Sequence, residues 1–148
     1  MDILNIINYL EDNGMSEVEE IKQDSNMSLI KFYYDFDKDE LSAAKIYSNE
    51  ESDYESESEE WYNEYYIPFL KDIAVDNAEA TVEDVVDEFD VAAVVKEVGV
   101  ENGNYGYFKF VLACSDQMDE TELEEILNDY EEYQNIDKIL LKNKKVMI

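Results

Sequence analysis

The sequence predicts an α+β domain in which a mostly antiparallel sheet of five to six strands carries three to four helices on one face. Segments with the two-residue alternation of strands and segments with the three-to-four-residue repeat of helices are interspersed along the chain. They lack the regular strand–helix–strand rhythm of a parallel sheet. A length of 148 residues with 45% hydrophobic content suits one core, so residues 1–148 are expected to form a single domain.

The chain begins with a predicted helix over residues 2–13. Isoleucine and leucine side chains recur there at helical spacing. Asp2 can accept a hydrogen bond from the first turn, and Asn13-Gly14 supplies the left-handed conformation that ends many helices.

A three-stranded meander is predicted next. Glu17–Gln23 is a weakly patterned strand, and Ser28–Phe36 is a strongly patterned one in which apolar and polar side chains alternate. The residues Asp37-Lys38-Asp39 are typical of a turn, and Leu41–Ser48 then predicts the third strand.

The central part of the chain predicts an acidic loop at residues 49–57, followed by helices. Ser58 is a suitable N-cap, and aromatic and aliphatic residues then step by four. Pro68 indicates either a kink or the start of a new helix. Thr81 with Asp84 predicts a capping pair for a short helix that ends near Phe89.

The last third predicts a hairpin, a helix and a closing strand. Val91–Val100 fits both a helix and a strand period, and its valine density favours a strand that turns at Asn102-Gly103. Asn104–Cys114 is the clearest strand. Asp119 with Glu122 predicts the cap of a helix that reaches about residue 133. Ile136–Leu141 is the closing strand, and residues 142–148 form a loose, lysine-rich end.

The net charge of −28 is the most informative feature of the composition. All eleven basic residues are lysines, and residues 1–137 hold all 39 acids against seven of them, a net of −32. Residues 138–148 carry four lysines and no acid. A field of this sign repels nucleic acid and anionic membranes, and it attracts basic protein surfaces and divalent cations.

Several residue types needed for common chemistry are missing from the sequence. It contains no histidine and no arginine, and Cys114 is its single cysteine. A histidine-dependent base, a catalytic triad and a thiolate or imidazole zinc site are therefore excluded. Asp35–Asp39 begins like an EF-hand loop, but Glu40 and Ile46 stand where that loop needs glycine and glutamate. We therefore predict no enzyme, no cofactor and no metal site.

Cys114 follows an apolar run and is expected to be a buried, unreactive thiol. A lone cysteine is consistent with a reducing compartment, and the N-terminal residues lack the basic and apolar regions of a signal peptide. No segment has the length of a membrane span. We therefore expect a cytoplasmic protein that binds neither membrane nor nucleic acid directly.

Residues 49–66 join acid to aromatic side chains without a lysine. Tyrosine and tryptophan are enriched at protein interfaces, and carboxylates complement a basic partner. The predicted contact patch consists of Glu50, Glu51, Asp53, Glu55, Glu57, Glu59, Glu60, Trp61 and Glu64. Further acids recur at helical spacing in Glu79, Glu83, Asp87 and Asp90, and in Asp119, Glu122, Glu125, Asp129 and Glu132.

Three interpretations of this charge are open. The first is a non-enzymatic protein that presents carboxylates and aromatics to a basic protein surface, in its sharpest form a nucleic-acid mimic or an inhibitor of a nuclease or toxin. The second is a structural domain whose charge serves solubility alone. The third is a metal-dependent enzyme that works through a carboxylate pair.

Overall fold

The computed structural model describes residues 1–24, 26–99 and 106–130. Within these residues the chain forms a four-stranded antiparallel sheet with helices. The strands are β1 (Met15–Gln23), β2 (Ser28–Asp35), β3 (Ala92–Gly99) and β4 (Tyr107–Ser115), in the spatial order β1-β2-β4-β3. The α+β class is confirmed, whereas the predicted number of five to six strands is not borne out, since the described residues form four.

Helix α1 (Ile3–Asp12) has the predicted ends. An Asp2 carboxylate oxygen accepts a hydrogen bond from the backbone N–H of Asn5 at 3.2 Å. Gly14 follows the helix with φ at +92°, a conformation that glycine adopts without steric cost. The apolar stripe, with Ile6 and Leu10 fully buried, packs α1 onto the sheet.

The predicted third strand, Leu41–Ser48, is wrong because this segment lies inside helix α2 (Lys38–Glu51). Asp37 caps the helix: its carboxylate accepts from the N–H of Glu40 at 2.7 Å, and the Glu40 carboxylate accepts from the N–H of Asp37 at 3.1 Å. This reciprocal pair satisfies two backbone donors that a turn between strands would leave to solvent. Because α2 reaches Glu51, the non-helical part of the predicted acidic loop is confined to residues 52–57.

Helix α3 (Glu59–Trp61) passes through a π-helical turn (Tyr62–Tyr66) into α4 (Ile67–Phe89). Ser58 is the N-cap of α3, as predicted, and its hydroxyl accepts from the Trp61 N–H at 3.3 Å. Pro68 lies in the first turn of α4, directly after the π-helical turn, so the helix begins anew near Pro68 as one of the two predicted alternatives.

The predicted capping pair of Thr81 and Asp84 is wrong. Thr81 lies inside α4, and its hydroxyl donates to the Asn77 carbonyl at 2.9 Å. The predicted short helix is therefore the last part of a 23-residue helix, since the apolar side chains of both parts share one face.

Of the predicted strands Val91–Val100 and Asn104–Cys114, the described parts are confirmed as β3 and β4, while residues 100, 104 and 105 lie outside the described residues. Helix α5 occupies residues 120–130, and the Asp119 carboxylate caps it by accepting from the Glu122 N–H at 2.9 Å. The turn predicted at residues 102–103, the closing strand at 136–141 and the lysine-rich end at 142–148 lie outside the described residues.

Helices cover both faces of the sheet, so the prediction that all of them pack against one face is wrong. Strand alternation places Phe32 and Phe110 on the face covered by α1, α2 and α4. It places Leu29, Val111 and Ala113 on the opposite face, where α5 contributes its buried leucines. The position of α5 follows from the apolar residues on this second face, which need a cover of their own.

Candidate acidic interaction surface

The eight carboxylates of the predicted patch are all exposed. They lie at the end of α2, in the loop over 52–57, in α3 and in the π-helical turn, and they belong to Glu50, Glu51, Asp53, Glu55, Glu57, Glu59, Glu60 and Glu64. The ion pairs seen among the described residues involve Asp116, Glu19 and Glu97. None of the lysines in the described part of the chain forms an ion pair with an acid of the patch.

Trp61, the remaining residue of the predicted contact patch, is not exposed with the eight acids. Only 1% of its surface is accessible. Its ring stacks on Tyr66 with centroids 5.1 Å apart and meets the edge of Tyr62 at 4.9 Å. Position 61 faces inward because α3 and the π-helical turn bury their aromatic side against the protein. Trp61 therefore packs in the interior beneath the exposed carboxylates of the patch.

Tyr54 is the exposed aromatic residue among the acids of the patch, with 45% of its surface accessible. Its ring meets the edge of Tyr65 at 6.4 Å. A hydrogen bond to the Glu64 carboxylate, together with the negative charge of that group, raises the pKa of the Tyr54 hydroxyl. Acid and tyrosine are thus in direct contact at the surface, as the sequence pattern suggested.

A denser array of carboxylates lies on α4. Its solvent face carries seven exposed acids and no lysine from residue 72 to residue 88. We call this array the α4 ridge, and it consists of Asp72, Asp76, Glu79, Glu83, Asp84, Asp87 and Glu88. The opposite side of the helix is buried in the core at Leu70, Ala74, Ala78, Val82 and Val85. The ridge is therefore held by tertiary packing along its length.

The sequence indicated part of this ridge, because Glu79, Glu83, Asp87 and Asp90 recur at helical spacing, but the predicted helix began only at Thr81. Asp90 instead ends the helix in a left-handed conformation. The missing signal was the shared apolar face before and after Thr81, which joins Ala74 to Val82 at intervals of four residues.

A groove lies where α4 and α5 flank the edge strand β3. It consists of two adjoining hollows of about 350 and 250 Å³ that share several lining residues. We call it the β3 groove, and it is lined by Glu79, Val82, Glu83, Val86 and Asp87 of α4, by residues 93–96 of β3, and by Glu120 and Glu124 of α5. Lys96, the one base among the described residues that line it, donates a hydrogen bond to Asn128.

A further hollow of about 470 Å³ lies at the β1 end of the sheet. It is lined by Ser16, Glu17, Tyr33, Asp35 and Tyr107. An irregularity in the β1–β2 register follows Ser16, and Glu17 has a φ of +48° there. Carboxylates and tyrosines thus meet at a second place on the surface, remote in sequence from residues 49–66.

Among the described residues, no three acidic or cysteine side chains are arranged to hold a metal ion. In the same part of the chain, no helix has the length and apolar character required to cross a bilayer. No protein-family model, curated protein or solved structure matches the chain.

Proposed function

We propose that this chain is a non-enzymatic binding protein that presents ordered carboxylates to a basic protein surface, and that the surface is the nucleic-acid-binding groove of its partner. The observation that carries the proposal is the α4 ridge, an array of seven exposed acids on a helix that is anchored in the core. A solvating surface needs charge alone, whereas a mimic needs charge at defined spacing.

The spacing of the ridge resembles that of a nucleic-acid strand. At 1.5 Å per residue, the sixteen steps from Asp72 to Glu88 span about 24 Å. The seven carboxylates spread over about half of the helix circumference and average about one charge per 4 Å of helix axis, and a strand of duplex DNA carries one per about 3.4 Å. Lysine and arginine side chains placed to meet phosphates would therefore meet carboxylates at a comparable density.

Rigidity adds to this match. Neighbouring acids at helical spacings of three and four repel one another, which opposes helix formation in an isolated peptide. Here the buried face of α4 holds the helix in place, so a partner does not have to order the charges when it binds. The acids between Glu50 and Glu64 lie outside the ridge and would act only through the long-range field, which changes the rate of encounter more than the affinity and is screened by salt.

The test compares two variants with the same change in charge. The ridge variant is D76N/E79Q/E83Q/D87N, and the control variant is E50Q/E51Q/D53N/E55Q. Both replace exposed acids and remove four negative charges. Each chain is immobilised, and a panel of purified nucleic-acid-binding proteins is passed over it at about 50 mM and about 500 mM salt, with and without duplex DNA.

We expect at least one basic protein to bind the wild type and the control, to be released by salt and by duplex DNA, and to bind the ridge variant at least about tenfold more weakly. The dependence of log K on log salt should be shallower for the ridge variant, because fewer charges are paired. Equal binding of both variants, or binding that duplex DNA does not displace, would contradict the proposal.

A further inference from the structure

We infer that the β3 groove binds an extended, lysine- or arginine-rich segment of a partner protein as an additional strand beside β3. The inference rests on the proposed function only in taking the partner to be basic. It adds the conformation of the bound segment and the place where it binds.

The first argument is the open edge of the sheet. β3 is the terminal strand in the order β1-β2-β4-β3, and within the described residues its second edge pairs with no strand. The outer edge of such a strand presents backbone N–H and C=O groups that have no partner in the sheet. Strand addition uses these groups for affinity, and it uses the flanking side-chain pockets for specificity.

The second argument is the charge on both walls of the groove. α4 covers one face of the sheet and places Glu79 and Glu83 at the rim. α5 covers the opposite face and places Glu120 and Glu124 there. Successive side chains of an added strand point to opposite faces, so each wall would receive every second residue. Both sets of side chains would meet carboxylates.

The third argument is the apolar floor between these walls. Val82 and Val86 of α4 and Val94 and Val95 of β3 contribute to the two hollows. Valine and other β-branched residues of an added strand would fit such a floor and favour the extended conformation. The preferred segment therefore combines basic and β-branched residues on each of its faces.

The same walls select against other occupants. A second copy of this chain carries a charge of −28, and acidic strands would be repelled by the carboxylates on both sides. Edge strands are commonly protected from self-association by a lysine, and Lys96 is the lysine of β3. Its ammonium is hydrogen bonded to Asn128 of α5. Five carboxylates among the described lining residues outnumber this one positive charge, so the edge remains negative.

The probe is the labelled, end-capped peptide Lys-Lys-Val-Val-Lys-Lys-Val-Val, which places both residue types on each face of a strand. Its binding to the full chain is followed by fluorescence polarisation at about 50 mM salt. Two further peptides carry N-methyl groups either at their odd or at their even positions. Their charge and composition match, but each has lost the backbone donors along one edge.

Strand addition predicts that one methylated peptide binds like the parent and the other at least about tenfold more weakly. The variant E83Q/E120Q/E124Q should lose at least about tenfold in affinity, and the control E50Q/E55Q/E57Q should lose little. An equal effect of the two methylation patterns would overturn the inference, as would equal effects of the two protein variants.

The lysines of residues 138–148 are tested in the full chain through K138Q/K142Q/K144Q/K145Q. If this variant binds the peptide at least about tenfold more tightly than the wild type, the basic end of the chain itself fills the groove and a separate partner segment is overturned. If strand addition fails while basic proteins still bind in competition with duplex DNA, this inference is wrong and the proposed function stands. The reverse result would support the groove and contradict the mimic.

Discussion

Trp61 is the residue on which sequence and structure disagree most directly, and it offers the sharpest test of the fold. It is the single tryptophan of the chain, and the structure buries it against Tyr62 and Tyr66. Its indole nitrogen has no hydrogen-bond partner within the described residues. The ring thus contributes packing while one polar group remains unsatisfied.

Two substitutions separate these contributions. Trp61→Ala removes the ring and leaves a cavity, which should cost about 3–5 kcal/mol of unfolding free energy. Trp61→Phe loses about 1–3 kcal/mol of burial and packing, but it also removes an unsatisfied N–H whose burial costs about 1–3 kcal/mol. The two effects oppose each other, so Trp61→Phe should lie within about 1 kcal/mol of the wild type. Tyr54→Ala, which changes an exposed aromatic of the same segment, should also cost less than about 1 kcal/mol.

Urea unfolding followed by circular dichroism measures all three variants on the same scale. In the wild type, the single tryptophan also reports its own environment. Its native emission should be blue-shifted and poorly quenched by acrylamide, and unfolding should remove both properties. Because Trp61 is not part of the exposed surface, Trp61→Phe should leave the binding of a basic partner unchanged.

The burial of Trp61 would be refuted by native fluorescence as quenchable as that of the unfolded chain. The account of its indole nitrogen would be refuted if Trp61→Phe and Trp61→Ala destabilised the protein equally. Loss of partner binding in a stably folded Trp61→Phe variant would restore the contact role that the sequence suggested.

Two further predictions concern the cap of α2 and the buried thiol. Asp37→Ala should lower the free energy of unfolding in urea by about 1 kcal/mol, because it removes the acceptor for the Glu40 N–H. The control is Asp39→Ala, which removes an acid of the same turn that does not cap the helix, and it should lower the free energy less. Burial raises the pKa of the Cys114 thiol from 9.0 to about 12, so it should react with a disulfide reagent at about pH 8 only after unfolding. The unfolded thiol ionises at lower pH than the folded one, so stability should fall between pH 9 and about 12 by at most about 1.4 kcal/mol per pH unit. Cys114→Ala should flatten that slope, and an unchanged slope would contradict the burial.

The sequence predicted β2 and β4 from side-chain alternation and three helix starts from local capping residues, whereas the strand at Leu41–Ser48 and the cap at Thr81 were wrong. Asp2, Ser58 and Asp119 all accept the hydrogen bonds expected of them. These features succeed because a cap involves residues within one turn, so neighbouring sequence contains the whole interaction. The α2 error shows the limit of this approach: the Asp37–Glu40 pair was visible, but the apolar pattern of the following residues was weak. Burial in α2 is confined to Ala44 and Ser48.

The positions of the helices relative to the sheet were harder to predict. The residues of α5 alone do not indicate which face of the sheet the helix covers. Its position depends on Leu29, Val111 and Ala113, which come from two strands far apart in sequence. For the same reason, the acids of α4 and α5 could be recognised as exposed without revealing that they flank β3.

By itself, the sequence determined that the protein is strongly acidic and of the α+β class and that its acids are mostly exposed. It also determined that no histidine and no pair of cysteines is available for chemistry. Each of these properties follows from composition or from contacts between near neighbours along the chain. Tertiary structure decided that Trp61 is buried beneath the exposed carboxylates of the patch, that α4 is continuous, and that two acidic helices flank β3, the terminal strand of the sheet within the described residues. These features arise from the burial of apolar surface between distant segments, and the free energy of that burial depends on the whole arrangement of the chain.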